Sequence, residues 1–221
     1  MNYEEKSENY YSNIRHDLIK FFDKSKDIKV LEIGAAYGET LFYLKEKGIA
    51  KEAIGIELFE DKMNQNKYKN IDRFIFGNIN DIDLLEFEAY FDLILLPDVL
   101  EHIYDPKLTL SKVHKYLKPS GEIIVSMPNI RHYSAFVKIF IRGDFKYEES
   151  GIFDYTHVRF YCKKNIKELL ESSGFKTIHV ESSIKNYKGK SVAKIINLLT
   201  FGIFEELFSK QYFFKLSKIQ Q

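Results

Sequence analysis

The chain has 221 residues, 45% of them hydrophobic, enough to fill the core of one large domain. Its 33 Lys and Arg balance 32 Asp and Glu to a formal charge of +1, so no global basic field points to nucleic acid. The single cysteine, Cys162, excludes an internal disulfide and a cysteine zinc cluster, and neither a signal peptide nor a membrane-spanning apolar run is visible, so a cytoplasmic protein is expected.

One domain over residues 1–221 is expected, with a lead-in helix within 8–24 and an insertion over 129–161. In the lead-in, Ile14, Leu18 and Phe21 or Phe22 share a face, and Tyr10, Tyr11 and Arg15 could cap a ligand bound further along the chain. Val30, Leu31 and Ile33 then read as a short buried strand. Gly34 and Gly38 permit a sharp turn, and Leu41, Leu44 and Gly48 recur at helical spacing over 39–47. A strand, a glycine turn and a helix N-terminus make a small-molecule site. A dinucleotide site wants Gly at the first, third and sixth turn positions, which here hold Gly34, Ala36 and Glu39. Glu39 would also repel a pyrophosphate, so a ligand without phosphates is favoured. The carboxylate of Glu32 suits an amine or a cation.

The stretch Glu32-Ile-Gly-Ala-Ala-Tyr-Gly38 is similar to motif I of the class I S-adenosylmethionine-dependent methyltransferases, commonly Glu/Asp-x-Gly-x-Gly-x-Gly. The departure is Ala36 for the middle glycine. The resemblance implies that Glu32, Gly34, Ala35, Ala36 and Gly38 bind S-adenosyl-L-methionine, which carries an amine, a sulfonium and a ribose but no phosphate. Residues 53–57 form the next strand, ending about twenty positions after the glycine turn at Glu57, where a carboxylate can accept both ribose hydroxyls. Leu58 follows it. A polar helix over 61–68 leads to a strand at 73–77 and then to Asn78 and Ile79. In the family this spot often carries an Asp for the adenine amine; Asn78 keeps an acceptor oxygen, Ile79 could pack on the purine, and a plain Asx turn fits equally well.

Residues 90–96 are nearly all apolar and read as a strand buried on both faces. Asp105-Pro106 starts a helix with Leu110, Val113 and Leu117 inward, and residues 122–127 form another strand. Asp98-Val-Leu-Glu-His-Ile-Tyr-Asp-Pro106 and Leu117-Lys-Pro-Ser-Gly-Glu-Ile-Ile-Val-Ser-Met-Pro-Asn129 resemble methyltransferases with a ubiquinone-biosynthesis type of core, which adds Asp98 to the cofactor residues. Gly151-Ile-Phe-Asp-Tyr-Thr-His-Val-Arg-Phe160 and Leu169-Leu-Glu-Ser-Ser-Gly-Phe175 extend the likeness toward a bacterial subgroup associated with sugar and surface-polysaccharide pathways. A small hydroxylated acceptor, a sugar or sugar nucleotide, is the partner this implies, without stable membrane insertion. The fold expected is α/β: a Rossmann-like seven-stranded sheet of order 3-2-1-4-5-7-6, strand 7 antiparallel, with helices on both faces.

The insertion over 129–161, with a helix at 133–141, would overhang the carboxyl ends of the strands as an acceptor lid. A helix over 164–173 and a strand over 175–181 come next, the strand with Phe175, Thr177, His179 and Glu181 on one face and Ile178 and Val180 on the other. An amphipathic helix over 192–208, broken near Gly202, precedes strand 7 at 211–216. A hydroxyl acceptor needs a base, and His157, then His102, then His132 are the candidates, with Asp154 and Arg159 to orient the lid or hold a polar acceptor. No cluster has metal-ligand spacing in the sequence. The competing readings are a module that binds S-adenosylmethionine without catalysis, a nicotinamide oxidoreductase, and a peripheral membrane partner through 195–214 beside Lys185, Lys188 and Lys190. For that last stretch, strand 7 and core packing are the simpler account.

Overall fold

The computed structural model describes residues 13–22, 27–187 and 191–219. Seven strands form one sheet in the order β3-β2-β1-β4-β5-β7-β6. They are β1 (Ile28–Ile33), β2 (Ala50–Glu57), β3 (Arg73–Phe76), β4 (Phe91–Pro97), β5 (Leu117–Pro128), β6 (Phe175–Ser182) and β7 (Gln211–Lys218). The pairs β1–β2, β1–β4, β2–β3 and β4–β5 are parallel, and β7 runs antiparallel to both β5 and β6. This is the expected order and the expected reversal.

Period-two alternation in the central strands feeds two cores, one on each face of the sheet. Val30, Leu93, Leu95 and Phe213 pack with Leu18, Leu41 and Leu44 from α1 (His16–Ile19) and α2 (Glu39–Glu46). Leu31, Ile94, Leu96 and Phe214 pack with Leu110 and Val113 from α3 (Pro106–Tyr116) and with Ile166 and Leu170 from α5 (Lys163–Ser172). The helix α3 starts as the sequence suggests: the Asp105 carboxylate accepts from the Leu108 amide, with Pro106 in the first turn.

Four elements depart from expectation. Only one turn of the lead-in helix, His16–Ile19, lies among the described residues, and Tyr10 and Tyr11 lie outside them. The polar helix is instead a kinked 3-10 segment, Lys62–Lys67, capped by Asp61 and burying no side chain, so no apolar face holds a longer helix in register. In the insertion, α4 (Tyr133–Phe136) passes into a π-helical turn, Val137–Ile141. In β6 the register slips between Thr177 and His179, leaving Ile178 as the extra residue of a bulge. The bulge moves Val180 to the face of Phe175 and Thr177 and turns His179 and Glu181 to the other, so the simple alternation expected for this strand fails.

The connection from β6 to β7 carries α6 (Val192–Leu199) and α7 (Glu205–Phe208), interrupted at Phe201 and Gly202, whose φ angles are +49° and +80°. Ile184 at its start is buried, but the apolar side chains of α6 and the following turn do not enter the core: Leu198 is 77% exposed, Ile203 78% and Phe201 95%. The core account therefore holds for β7 alone. No helix among the described residues is long and apolar enough to cross a membrane.

These two environments give unequal costs for one substitution. Phe214→Ala, which empties a fully buried site in β7, should destabilise by about 3–5 kcal/mol in denaturant titration. Phe201→Ala should change stability by no more than about 0.5 kcal/mol.

Candidate active site

The turn after β1 is built from three left-handed residues, Gly34 (φ +76°), Ala36 (φ +50°) and Gly38 (φ +83°). The amides of Gly34 and Ala35 both donate to the Ile56 carbonyl at the end of β2, at 2.8 and 3.1 Å. A Cβ on Gly34 would lie 2.7 Å from the Val99 side chain, and one on Gly38 would lie 2.7 Å from Phe74. Both glycines are thus required by their protein neighbours. Ala36 is held left-handed, at a cost of about 1–2 kcal/mol, by its amide's 2.8 Å hydrogen bond to Glu57 Oε2.

The turn forms one wall of a cavity of about 820 Å³ at the carboxyl edge of β1, β2 and β4. Of the cofactor residues expected from sequence, Glu32, Gly34, Ala35, Ala36, Glu57, Leu58, Asn78, Ile79 and Asp98 all line it. Gly38 does not; it ends the turn and starts α2. Glu32 is buried and its Oε2 has no hydrogen-bond partner. Burial pushes its carboxyl up to about 8 against the pull of Arg15, and Glu57 adds to the rise. Burial also raises Glu57, opposed by the Ala36 amide.

Two supports of this cavity come from distant elements. Lys112 of α3 donates to the carbonyls of Ile79, Asn80 and Ile82 at 3.0, 2.8 and 2.5 Å, clamping the loop after β3. Within that loop Asn78 Oδ1 accepts from the Asn80 amide at 3.0 Å, so the Asx turn does form. At the other end Arg15 bonds Asp98 at 2.9 Å and Ser126 Oγ at 3.0 Å, while Gln211 Nε2 also donates to Asp98. Sequence reading missed Gln211 and Lys112, because only the sheet order and the packing of α3 bring them here.

A second cavity, of about 650 Å³, shares Asp98, His102 and Gln211 with the first. The insertion supplies much of its wall, including Tyr133, Val137, Lys138, Phe153, Asp154 and His157. The His102 and His157 rings face each other at 4.7 Å between centroids, inclined at 62°. His102 Nδ1 lies 3.1 Å from the Thr156 carbonyl and His157 Nδ1 lies 3.0 Å from that of Ile152. A carbonyl only accepts, so both Nδ1 atoms carry hydrogen and both Nε2 atoms carry the basic lone pair. Burial, then the neighbouring His157, lowers His102 to about 4. Asp154, also buried, accepts from the amide and hydroxyl of Thr156 and so shapes the turn that carries His157.

Glu101 completes this group and was not singled out from sequence. It is fully buried, neither carboxyl oxygen has a hydrogen-bond partner, and burial raises it well above the carboxylate range. Among the described residues, Glu101, His102 and His157 offer ligand atoms within 4.8 Å of one another, a set that could hold a metal ion. Sequence spacing hid the set because His157 comes from the insertion. His132, by contrast, lines neither cavity: it is 1% exposed, with Nδ1 bonded to Ser134 at the start of α4. Arg159 donates to the Tyr104 carbonyl and lines neither cavity.

The left-handed turn can be tested by two opposed substitutions. Gly34→Val combines a disallowed φ with the Val99 clash and should cost at least about 2 kcal/mol in denaturant titration. Ala36→Gly removes strain while loosening the unfolded chain, so its net effect should stay within about 1 kcal/mol.

A family profile described as a methyltransferase domain matches residues 3–180. Phosphoethanolamine N-methyltransferase 2 of Caenorhabditis elegans is 28% identical over 142 residues, covering 62% of this chain and 27% of the relative. The mitochondrial ubiquinone biosynthesis O-methyltransferase of Dictyostelium discoideum is 19% identical over 171 residues, covering 72% and 53%. The chain thus spans only part of these curated relatives. Among solved structures, an S-adenosylmethionine-dependent methyltransferase from Archaeoglobus fulgidus superposes with a TM-score of 0.62 at 22% identity, covering 90% of this chain and 89% of the other. One from Mesorhizobium loti gives 0.64 at 14%, covering 91% and 96%. These likenesses show the fold, and the profile covers the glycine turn, the end of β4 and the insertion together; on that match the chain belongs to the methyltransferase domain family.

Proposed function

We propose that this chain transfers a methyl group from S-adenosyl-L-methionine to a hydroxyl of a small acceptor, a sugar or sugar nucleotide being the expected class. The observation that carries the reading is the meeting of two cavities at Asp98, His102 and Gln211. One is bounded by the glycine turn, the buried carboxyl of Glu32 and the half-buried one of Glu57, the other by the insertion and a pair of histidines.

The first cavity fits this cofactor. The unpartnered Oε2 of Glu32 suits its amine, Glu57 suits ribose hydroxyls, and Leu58 and Ile79 offer apolar faces to a purine. Asn78 can accept from the adenine amine with the lone pair its Asx turn leaves over. Glu39, paired with Lys69 at 3.2 Å, lines this cavity at the α2 N-terminus. Bound there, S-adenosylmethionine would supply an activated methyl on a sulfonium, so the protein's task is alignment, exclusion of water and removal of the acceptor's proton.

His157 is the first choice as base and His102 the second. Each presents Nε2 as its basic atom, and the hydrogen bonds at Nδ1 fix that tautomer. Glu101 places a buried carboxyl beside both rings. An amine with a free lone pair would have less use for this arrangement, which is why oxygen is the acceptor atom chosen. The insertion, which walls the second cavity, selects the acceptor.

Glu32 makes cofactor binding a proton-linked event. Its carboxyl, near 8 without ligand, is mostly protonated at neutral pH. A bound cation favours the ionised form, so binding should release a proton, and affinity should rise with pH between about 6 and 7.5. Calorimetry in buffers of different ionisation enthalpy should detect that proton, and Glu32→Gln should abolish both the release and the pH dependence. Release unchanged in Glu32→Gln would assign the proton elsewhere.

The base can be tested once an acceptor is in hand. His157→Asn should lower turnover by about 10²–10⁴-fold with cofactor affinity intact. If His102 takes the proton instead, its neutral form is the active one, and turnover should fall only as pH drops through about 4. Full activity in both His157→Asn and His102→Asn would exclude a histidine base. Cofactor binding with no transfer to any sugar, phenol or amine would favour a binding module.

A further inference from the structure

The connection between β6 and β7 contains a surface that the fold leaves uncovered and methyl transfer does not use. Its helix α6 packs mainly against neighbouring parts of the same connection, the turn Ser183–Asn186 and α7. Val192, Leu198, Leu199, Phe201 and Ile203 all stand largely in solvent. At the tip, Phe201 takes a left-handed conformation at φ +49°, with Gly202 beyond it at φ +80°. An aromatic side chain thus sits on a turn at 95% exposure, where it contributes almost no burial to the fold. Isolated apolar side chains on a surface need no explanation, but a run of this kind along one helix and its following turn does.

We propose that this element docks on an anionic lipid bilayer, lying in the interface without spanning it. Charge names the occupant. Residues 183–210 contain five lysines, Lys185, Lys188, Lys190, Lys194 and Lys210, against two carboxylates, Glu205 and Glu206. Both carboxylates are matched by cations from outside the connection, Glu205 by Lys163 at 3.0 Å and Glu206 by Arg131 at 2.7 Å. Lys185 is paired in turn with Glu181 of β6 at 3.3 Å, so by sequence the connection keeps a net positive charge in the same stretch as exposed leucine, isoleucine and phenylalanine, the composition that places a helix at a headgroup boundary. Neither cavity is lined by residues of α6 or its tip, so this surface is separate from both.

The position also links the surface to the second cavity. Asn129 Nδ2 donates to the carbonyls of Glu206 and Ser209, and Tyr133 meets Phe208 at 6.2 Å between ring centroids. The insertion that walls the second cavity is thus anchored on this connection, and it exposes Phe136, Phe140 and Ile141 of its own. Lys210 lines that cavity as well as closing the connection. A bilayer under α6 would lie next to the cavity wall and could supply an acceptor held at the membrane surface.

The test uses the full chain and sedimentation with vesicles, and does not depend on methyl transfer. The chain should co-sediment with vesicles of phosphatidylcholine and phosphatidylglycerol, weakly with phosphatidylcholine alone, and less as salt is raised to about 1 M. Leu198→Asp combined with Phe201→Asp should weaken vesicle binding by roughly tenfold or more, since both apolar contacts to the interface are lost. Unchanged thermal unfolding and cofactor affinity would show that the variant is folded. No binding to the anionic vesicles overturns the proposal, as does equal binding by the folded double variant. A dimer in sedimentation velocity that disappears in the double variant, without vesicle binding, would assign the surface to a second copy of the chain and overturn it too.

Discussion

The left-handed turn between β1 and α2 is held by the end of β2. Two amides converge on the Ile56 carbonyl and a third on the Glu57 carboxylate. Residues at positive φ are costly for alanine, and a turn containing one persists where its hydrogen bonds over-determine it. The carboxyl edge is arranged around this contact. It sets the first cavity's wall, it fixes Glu57 facing inward, and it leaves Glu32 beneath the turn without solvent. Lys112 does the equivalent work at the third strand, where three carbonyls of one loop converge on one ammonium.

Several features were legible in the sequence because they depend on local chemistry. Alternating apolar runs give the strands, Asp105-Pro106 starts α3, and glycines at 34 and 38 mark a turn that L side chains resist. The sheet order came from the family resemblance more than from periodicity. Other features depend on what lies opposite a residue, which no window of sequence contains. Ile178 becomes a bulge because of its pairing with β7. Gln211 reaches Asp98 only when β7 inserts beside β5. Glu101 reads as an ordinary turn residue until His157 arrives from the insertion. His132 shows the converse: its place in the chain suits a catalytic residue, yet its ring is spent on Ser134 and the start of α4. The apolar spacing over 192–204 is plain in the sequence, but periodicity says which residues share a face and not whether anything covers it.

The site sets titratable groups against their ordinary charge states. Glu32 and Glu101 are raised by burial, and His102 is lowered by it. A buried carboxyl kept neutral and a half-buried imidazole kept neutral can stand close together without the desolvation cost of a fixed ion pair. Either becomes charged readily when a cation or a proton arrives to compensate it. Glu32 therefore answers a change of charge in the first cavity, and Asp98, which lines both cavities, is paired with Arg15.

The antiparallel insertion of β7 has a consequence for assembly. During synthesis β5 and β6 emerge well before the strand that must lie between them, so until β7 arrives the sheet has an open edge at β5 and no place for β6. The β6–β7 connection is made in that interval, and its exposed apolar side chains are available while the sheet is still incomplete. Gln211, the first residue of β7, is also the residue that closes on Asp98 between the two cavities. Zipping up the sheet and finishing the boundary between the cavities are therefore one event, and a nascent chain that has reached β6 has its glycine turn but not yet its junction.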